Sequence, residues 1–259
     1  MFASQRRDRI MELLRRNKQI VVKELAQEMN VSEGTLRTDL RMLEEEGVLE
    51  RTHGGAVLAR SKSAKSAVAD NNSATRSDMN HEEKAAIGQH AASLVARGQC
   101  IILDASSTVL ELAKALVDYD YLTVVTNGLE SAMVLNQNPR INVILVGGVL
   151  RAGSRTVEGV IGKSILEQIH ADLFFTSAEG LSLAEGMTDF SLYEAELKKV
   201  MTANARQTIA LVDHTKLGRR SIATSVLLEH IHTLVTDAKA DPEFLRRIRG
   251  PEIIIATAK

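Results

Sequence analysis

The chain has 259 residues, 44% of them hydrophobic and 25% charged, which excludes a disordered chain and predicts a globular protein of two domains. Its formal net charge of −1 gives no overall basic signature for a nucleic acid, and no apolar run approaches the roughly 18 residues of a membrane span, so we expect no membrane partner. A basic N-terminus without the apolar core of a signal peptide, together with a single cysteine, predicts a cytoplasmic protein without a disulfide framework.

The first sixty residues have the spacing of a small helical domain, which we place at residues 1–60. Apolar residues recur at helical intervals, and Ser, Asn and Gly stand where helices begin and end. The predicted elements are a helix from Ser4 to about Asn17, a β-type run at Ile20–Val22, a helix at Lys23–Met29 that stops at Asn30, and a helix that Ser32 begins and Gly47 ends.

The third of these helices has two distinct faces. Leu36, Leu40 and Leu43 follow one another at i, i+4 and i+7, so they must face the core of the small domain. The opposite face is small and polar at its tip and cationic along its length, and it consists of Gly34, Arg37, Thr38 and Arg41, with Thr35 at its margin. A helix of this kind fits the major groove of DNA.

After this helix, the segment VLERTHGGAV has the pattern of two short strands around a Gly-Gly turn. Arg51 and His53 lie on the approach to the turn, which is formed by Gly54 and Gly55. Each piece alone is typical of an ordinary turn or of solvated arginines. The order of helix, helix, Ser-capped helix and basic hairpin is more specific, and it predicts a winged helix-turn-helix.

The stretch VSEGTLRTDLRMLEEEGVLERTHGGA resembles the DNA-binding signature of the DeoR family of bacterial transcription regulators. The matching positions are Val31, Ser32, Thr35, Arg37, Asp39, Leu40, Leu43, Glu44, Gly47, Arg51, His53, Gly54, Gly55 and Ala56. The resemblance implies DNA contacts from Ser32, Thr35, Arg37, Thr38, Arg41, Arg51, His53, Gly54 and Gly55. Thr38 departs from the family pattern, which usually has a second arginine there, and this removes one expected phosphate or base contact.

Residues 61–75, SKSAKSAVADNNSAT, are rich in Ser, Ala, Asn and Lys and have no apolar periodicity. This composition predicts a linker between two domains. The second domain then spans residues 76–259.

The second domain alternates helical stretches with short apolar runs, beginning with a helix at about His81–Ala96. The runs are CIILD from Cys100, LTVVT from Leu122, NVILV from Asn142, LFFTS from Leu173, TIALVD from Thr208, a run that ends at Thr236, and EIIIA from Glu252. Continuous apolar strands between helices predict an α/β domain with a largely parallel sheet covered on both faces.

Small and polar residues follow these runs, and open parallel sheets bind ligands outside the carboxyl ends of their strands. Ser106, Ser107 and Thr108 lead into a helix predicted at Val109–Val117, so their hydroxyl and backbone N–H groups form a candidate phosphate site. The other candidates offer amide donors, close backbone approach or positive charge, and they are Asn127, Gly128, Gly147, Gly148 and Lys216. Each loop alone is more typical of a turn than of a ligand site; their common edge favours the site.

The stretches LDASSTVLELA, TNGL, GGVLR and DHTKLG are similar to the effector domain of the DeoR family, so the resemblance covers nearly the entire chain. It implies a fold related to ribose-5-phosphate isomerase and a phosphorylated sugar or sugar-derived ligand, and it adds Asp104 to the ligand contacts. No cofactor is expected.

Three other groups of residues favour ordinary structural roles. His230 and His232 lack a third metal ligand placed by the sequence, so surface histidines are expected, and Cys100 is expected to pack in the sheet. Four residues of one helix, Glu194, Glu196, Lys198 and Lys199, have the spacing of solvated ion pairs. Asp189 and Lys199 remain minor ligand candidates.

These features predict a DNA-binding repressor of a sugar-utilisation operon whose operator binding is modulated by a phosphorylated sugar. One winged head makes few base contacts, so two heads on two half-sites are expected, and with them a homo-oligomer, dimer or tetramer. An alternative is a sugar-phosphate isomerase or deaminase-like enzyme with a nucleic-acid-binding module, in which Asp104 or Glu179 is the base. The sequence places neither a second acid or base nor a lid, so we expect a regulator and not an enzyme. A protein-interaction role for the head is disfavoured by the wing and by the Arg37 and Arg41 face.

Overall fold

The computed structural model describes residues 6–7, 9–11, 13–14, 19–29, 31–45, 49–52, 54–58, 79–150 and 154–257. The chain divides into two compact units, Met1–Ala69 and Asp70–Lys259. Several predicted features lie outside the described residues, namely Ser4, Asn17, Asn30, Gly47, His53 and the linker 61–75. Within the described part of the chain, no helix is long and apolar enough to cross a membrane.

The smaller unit has the predicted order of helices and strands. Helical residues at 6–7, 9–11 and 13–14 precede strand β1 (Gln19–Val21), helix α1 (Val22–Glu28), helix α2 (Glu33–Glu45), strand β2 (Leu49–Thr52) and strand β3 (Gly55–Leu58). The three strands form one antiparallel sheet in the order β1-β3-β2. The β-type run and the second helix each begin one residue earlier than predicted.

The core of the smaller unit forms where the predicted apolar stripes meet. Leu36, Leu40 and Leu43 of α2 are buried together with Ile10 and Leu14 of the N-terminal helical segment. Burying a side chain of this size contributes about 1.5–3 kcal/mol, so each of these residues stabilises the unit appreciably.

The wing is joined to this core at a glycine. The register of β2 and β3 pairs Thr52 with Gly55, and the N–H of Val22 donates to the carbonyl oxygen of Gly54 at 2.9 Å. A Cβ on Gly55 would lie 1.9 Å from the carbonyl oxygen of Ile20, so only glycine permits this approach of β3 to β1.

The larger unit alternates strands with helices along most of its length. Its helices are α3 (His81–Ala92), α4 (Ser107–Ala115), α5 (Leu129–Leu135), α6 (Lys163–Leu166), α7 (Leu192–Ala203) and α8 (Pro242–Arg247). Its main strands are β4 (Cys100–Leu103), β5 (Leu122–Thr126), β6 (Ile141–Leu145), β9 (Ala171–Thr176), β12 (Ala205–Leu211), β14 (Thr233–Asp237) and β15 (Glu252–Ala256). Its short strands are β7 (Val149–Leu150), β8 (Val157–Glu158), β10 (Gly180–Ser182), β11 (Gly186–Asp189) and β13 (Ala223–Val226).

All seven predicted runs form one parallel sheet in the order β15-β14-β12-β9-β4-β5-β6. The predicted fold class, a winged helix-turn-helix followed by an α/β domain with a largely parallel sheet, is confirmed. The two faces of the sheet are covered by separate apolar clusters, one of which includes Leu103 and Phe175, and another Ile102 and Phe174. The predicted packing of Cys100 is also found, since its side chain is half-buried against the second cluster.

Two helix boundaries and two small sheets differ from the prediction. Helix α3 ends at Ala92 and not near Ala96, and α4 begins at Ser107 because the hydroxyl of Ser106 caps it by accepting from the N–H of Val109 at 3.3 Å. The antiparallel sheets β10-β11-β13 and β7-β8 were not predicted, because their strands have two to four residues and no clear alternation.

Candidate functional site

The carboxyl ends of the parallel strands bring most of the predicted ligand residues to one edge of the sheet. From β14 to β6, the residues at or after these strand ends are Asp237, Asp213, Ser177, Asp104, Asn127 and Gly147. We call this set the carboxyl edge. Two side chains assigned to distant loops, Asn127 and Lys216, therefore lie on the same side of the sheet.

Asp104 is buried at this edge, and its carboxylate faces protein groups. Oδ1 accepts from the N–H of Ser106 at 2.9 Å, and Oδ2 accepts from Thr176 Oγ1 at 2.7 Å and from the N–H of Ser177 at 2.9 Å. Only 1% of the residue is exposed. The resemblance implied a contact with the ligand; the geometry makes Asp104 the residue that holds the loops after β4 and β9 together.

The first turn of α4 has the features of an anion site. Ser106 caps the helix, and Ser107 and Thr108 form its first two residues, so backbone N–H groups and hydroxyls lie at the positive end of the helix dipole. The Oγ1 of Thr108 is buried and has no hydrogen-bond partner among the described residues. Such an atom is costly to leave unpaired, so it favours an external partner at this turn.

The loop after β5 differs from the expectation in one respect. The side-chain amide of Asn127 was expected to donate to a ligand, but its Nδ2 donates to the carbonyl oxygen of Val157 at 3.1 Å. The atom without a described partner is its buried Oδ1, an acceptor. Gly128 lets this loop pack on the preceding one, because a Cβ there would lie 3.1 Å from Cα of Ala105.

The two glycines after β6 serve different purposes. A Cβ on Gly148 would lie 2.4 Å from the carbonyl oxygen of Glu158, so this glycine is required by the pairing of β7 with β8. Gly147 is exposed, and beyond its chain neighbours no atom of the described residues lies within 4 Å of a Cβ placed on it. Of the predicted pair, only Gly147 leaves room for an approaching ligand.

Lys216 lies in a single helical turn after β12, three residues beyond the buried Asp213. Its side chain is half-buried and forms no ion pair with a described residue. The carboxylate of Asp213 caps the turn by accepting from the N–H of Thr215 at 3.1 Å. The turn therefore holds a cationic side chain beside the carboxyl edge.

Lys198, which the sequence predicts to be solvated, is buried next to Ser177 and Asp104 of the carboxyl edge. Nζ of Lys198 donates to the carbonyl oxygen of Ser177 at 2.7 Å and to Asp189 Oδ1 at 2.9 Å, and it lies 3.4 Å from Asp104 Oδ2 and 3.3 Å from Glu194 Oε1. The prediction of solvated pairs on this helix is therefore wrong for Lys198. It holds for Lys199, which is exposed and pairs with Glu196.

The charge state of Lys198 follows from its neighbours. Burial by itself lowers the pKa of a lysine, but the carboxylates of Asp189, Glu194 and Asp104 outweigh that effect and raise the pKa of Lys198 above its ordinary value. The amine is therefore cationic at any physiological pH. The Oδ2 of Asp189 and the Oγ of Ser177, both buried, have no partner among the described residues.

The exposed face of α2 is the candidate DNA surface in the smaller unit. Gly34, Arg37, Thr38 and Arg41 are exposed as predicted, and Thr35 is half-buried. The guanidinium of Arg37 lies on the surface, 3.0 Å from Glu33 on the same helix.

Some residues of the DNA-binding motif have structural roles within the smaller unit. The hydroxyl of Ser32 accepts from the N–H of Thr35 at 3.1 Å, and Thr38 donates to the carbonyl oxygen of Gly34 at 3.1 Å. Asp39 is buried and accepts from Nε of Arg6 at 2.6 Å, a tie between α2 and the N-terminal helical segment that the sequence analysis missed. The side chain of Arg51 and the whole of His53 lie outside the described residues.

Two family models match the chain. The DeoR-like helix-turn-helix domain matches residues 6–62, and the DeoR C terminal sensor domain matches residues 79–238. The chain belongs to the DeoR family. The family membership that the two sets of motifs predict is therefore confirmed.

Two relatives of this DeoR-family chain are transcription regulators that align with it over nearly their full length. It is 43% identical to the HTH-type transcriptional regulator GolR of Listeria innocua, over 100% of each chain. It is 34% identical to the HTH-type transcriptional repressor GlcR of Bacillus subtilis, covering 98% of this chain and 97% of that one. The prediction of a DNA-binding transcription regulator, and not an enzyme, is confirmed.

Solved structures also align with about half of this DeoR-family chain. A ribose 5-phosphate isomerase A from Methanocaldococcus jannaschii aligns at 19% identity and a TM-score of 0.40, over 53% of this chain and 55% of that chain.

Proposed function

We propose that this regulator represses a sugar-utilisation operon as a homo-oligomer, and that a phosphorylated sugar or related metabolite changes its affinity for operator DNA by binding at the carboxyl edge. The observation that carries the proposal is the concentration of unsatisfied polar atoms at that edge. Those in or next to its loops are Thr108 Oγ1, Asn127 Oδ1, Ser177 Oγ, Asp189 Oδ2 and Asp213 Oδ2. Buried polar groups are nearly always paired, so a group of unpaired ones favours a polar ligand with several hydroxyls.

The phosphate end of the ligand is assigned to the first turn of α4 and to Lys216. A helix N-terminus binds anions through its N–H groups and dipole, and a lysine supplies a mobile point charge. Gly147, at the same edge, leaves space for the ligand. Asn127 and Asp189 each offer a buried acceptor oxygen to sugar hydroxyls.

The DNA contacts are assigned to α2 and the wing. Arg37 and Arg41, with Thr38 between them, face solvent along α2. The proposed surface is completed by Ser32 before the helix, Thr35 in its first turn, and the wing residues Arg51, His53, Gly54 and Gly55. The name of the relative GlcR, a repressor, supports repression as the sign of regulation.

A thermal-shift screen tests the ligand part of the proposal. A panel of pentose and hexose phosphates, their unphosphorylated parent sugars and inorganic phosphate is added to the full chain, since a ligand that binds only the folded state raises its melting temperature. We expect a shift with at least one sugar phosphate, no shift with its parent sugar, and no turnover of that compound. The same compound should change the Kd for a DNA fragment that the protein selects from its own genome.

Lys216→Ala locates the site within the molecule. Loss of a charge-assisted hydrogen bond worth about 1.5–3 kcal/mol lowers affinity for the sugar phosphate roughly ten- to a hundredfold, while DNA binding without ligand stays unchanged. Lys163→Ala, at an exposed lysine paired with Glu167, is the matched control. Unchanged ligand affinity in Lys216→Ala would place the phosphate elsewhere.

A further inference from the structure

The N-terminus of α3 is fastened to one loop of the carboxyl edge through Asn80. This residue precedes the helix with a left-handed backbone, at φ 52°, which is uncommon for residues other than glycine. Its side chain does not cap α3. Instead, Nδ2 donates to Asp213 Oδ1 at 3.3 Å and to Thr215 Oγ1 at 3.2 Å, so the amide is used to hold the loop that carries Lys216.

The carboxylate of Asp213 is unevenly used. Its Oδ1 accepts from Asn80 Nδ2 and from both the N–H and the hydroxyl of Thr215, whereas its buried Oδ2 has no partner among the described residues. A donor that reaches Oδ2, or a phosphate that draws Lys216 towards itself, changes the balance of these bonds. A change of occupant at this loop would therefore also act on the bonds of Asn80.

A second contact holds the same turn of α3. Glu83 pairs with Lys239, which follows β14, and the N–H of Lys239 donates to Asp237 at 2.9 Å. Asp237 in turn accepts from the N–H of His214 at 2.7 Å. The first turn of α3 is thus attached to the loops after both β12 and β14.

We infer that Asn80 is a positioning residue that couples ligand occupancy at the Lys216 loop to the start of α3, and through the chain that precedes it to operator binding. The inference rests on the proposed function, because it needs a ligand that acts at this loop. Helix α3 is the first described element of the larger unit, and every proposed DNA-binding residue precedes it in the chain. A ligand that favours one arrangement of the loop therefore also favours one arrangement of the point where the chain enters the sensor unit.

Asn80→Gly in the full-length chain is the test. Glycine adopts a positive φ without strain, so the variant removes both side-chain hydrogen bonds and keeps the backbone. The sugar phosphate that gives the largest thermal shift with the wild-type chain is the probe. We expect its Kd, and the operator Kd without it, to stay within about threefold of wild type. The ratio of operator Kd values with and without the probe, typically about 5- to 150-fold in allosteric proteins, should fall below about threefold.

Two further variants make the result specific. Asn136→Gly, at an exposed asparagine that caps the C-terminus of α5, is the matched control and should leave the ratio unchanged. Thr215→Val removes the other end of one Asn80 bond and should reduce the ratio as well, and combining it with Asn80→Gly should add nothing, as expected for two ends of one link.

The outcomes separate the two proposals. A wild-type chain that responds to no sugar phosphate overturns the proposed function and this inference with it. A responsive wild type whose Asn80→Gly variant keeps the full ratio overturns the inference alone. Loss of probe affinity in Asn80→Gly with the ratio retained at saturation also overturns it, because Asn80 would then be a ligand contact. If Asn80→Gly does not fold, Thr215→Val decides, and a full ratio in that variant overturns the inference.

Discussion

The charged amine of Lys198 is buried among three carboxylates and a backbone carbonyl. Its raised pKa has a defined consequence for stability. A group whose pKa is higher in the folded state stabilises the fold fully below its unfolded pKa, about 10.4 for lysine, and loses this contribution only as the pH rises through the folded value. Lys198 therefore introduces no pH dependence near neutrality, and it holds Asp104 and the loop of Ser106 at any physiological pH.

Replacing Lys198 with Met should strongly destabilise the larger unit. Three carboxylates lose their buried cation, and breaking a buried ion pair in this way costs about 3–5 kcal/mol in the free energy of unfolding. Urea denaturation followed by circular dichroism measures the change. Adding Asp189→Asn to Lys198→Met should recover part of the loss, because it removes one uncompensated charge.

The matched control lies next to it on the same helix. Lys199→Met removes an exposed ion pair with Glu196 and should change the free energy of unfolding by no more than about 0.5 kcal/mol. Equal effects of the two substitutions would contradict the buried cluster.

Residues of this kind mark the limit of what the sequence predicts. The spacing of Glu194 and Lys198 is that of an ordinary surface ion pair, and nothing in the helix itself indicates that Asp104 and Asp189 approach from other parts of the chain. Burial of a polar helix residue is decided by the loops that cover it. Asn127 is a similar case. The sequence predicts its position at the carboxyl edge, but its Nδ2 donates to the carbonyl oxygen of Val157, which lies on a strand too short to predict.

At the scale of elements, α2 combines an apolar stripe with an exposed cationic face. The apolar stripe and the Asp39 ion pair with Arg6 hold the helix in the unit, and the face that carries Arg37 and Arg41 is exposed to solvent. Elements of this type are predicted well, because the 3.6-residue period assigns each position to one face. The seven long strands are predicted equally well, since strands buried on both faces are continuous apolar runs, whereas β10, β11 and β13 contain too few apolar residues to be detected.

Arg37→Ala and Arg41→Ala should each weaken operator binding while the fold stays intact. Each proposed phosphate contact that is lost lowers the slope of log affinity against log salt by about 1. Fluorescence anisotropy at several salt concentrations measures both quantities. Arg246→Ala, at an exposed arginine of α8, is the control. Unchanged affinity and slope in both α2 variants would contradict the assignment of α2 as the recognition helix.

The hairpin of the wing depends on one of its two glycines. A Cβ at Gly55 would overlap the carbonyl oxygen of Ile20, so Gly55→Ala should force β3 away from β1 and lower the free energy of unfolding by about 1–3 kcal/mol. Within the part of the chain that the structure describes, no atom beyond its chain neighbours lies within 4 Å of a Cβ at Gly54, so Gly54→Ala is the neighbouring control and should have a much smaller effect. Thermal melts of the two variants decide the matter, and a larger loss at Gly54 would contradict the packing described for Gly55.

At the scale of the whole molecule, the two units have separate hydrophobic cores. The core of the smaller unit is built from residues between Ile10 and Ala56, and those of the larger unit from residues between Ile87 and Ala256. The division of the chain at Ala69 and Asp70 falls inside the predicted linker, whose bounds at 61–75 remain a prediction.

A fragment of residues 76–259 should therefore fold, assemble and bind the sugar phosphate without binding DNA. A domain with its own core is expected to fold alone. Size-exclusion chromatography, thermal shift with the sugar phosphate and operator binding test the three properties. Aggregation of the purified fragment, with the full-length chain remaining in solution, would count against independent cores.

The order of the strands along the chain also determines when, during synthesis, the DNA-binding unit and the ligand loops can form. The central strands β4 and β9 are hydrogen-bonded neighbours, yet Asp104 and Thr176 at their ends are 72 residues apart in the chain, and the next strand, β12, is made later still. Pairing strands so distant in sequence is slow, and the ribosome releases the N-terminus first. A nascent chain, or one truncated by a nonsense mutation before β9, therefore has the complete core of the DNA-binding unit but not the sheet that supports the ligand loops. Such a product would not respond to the metabolite.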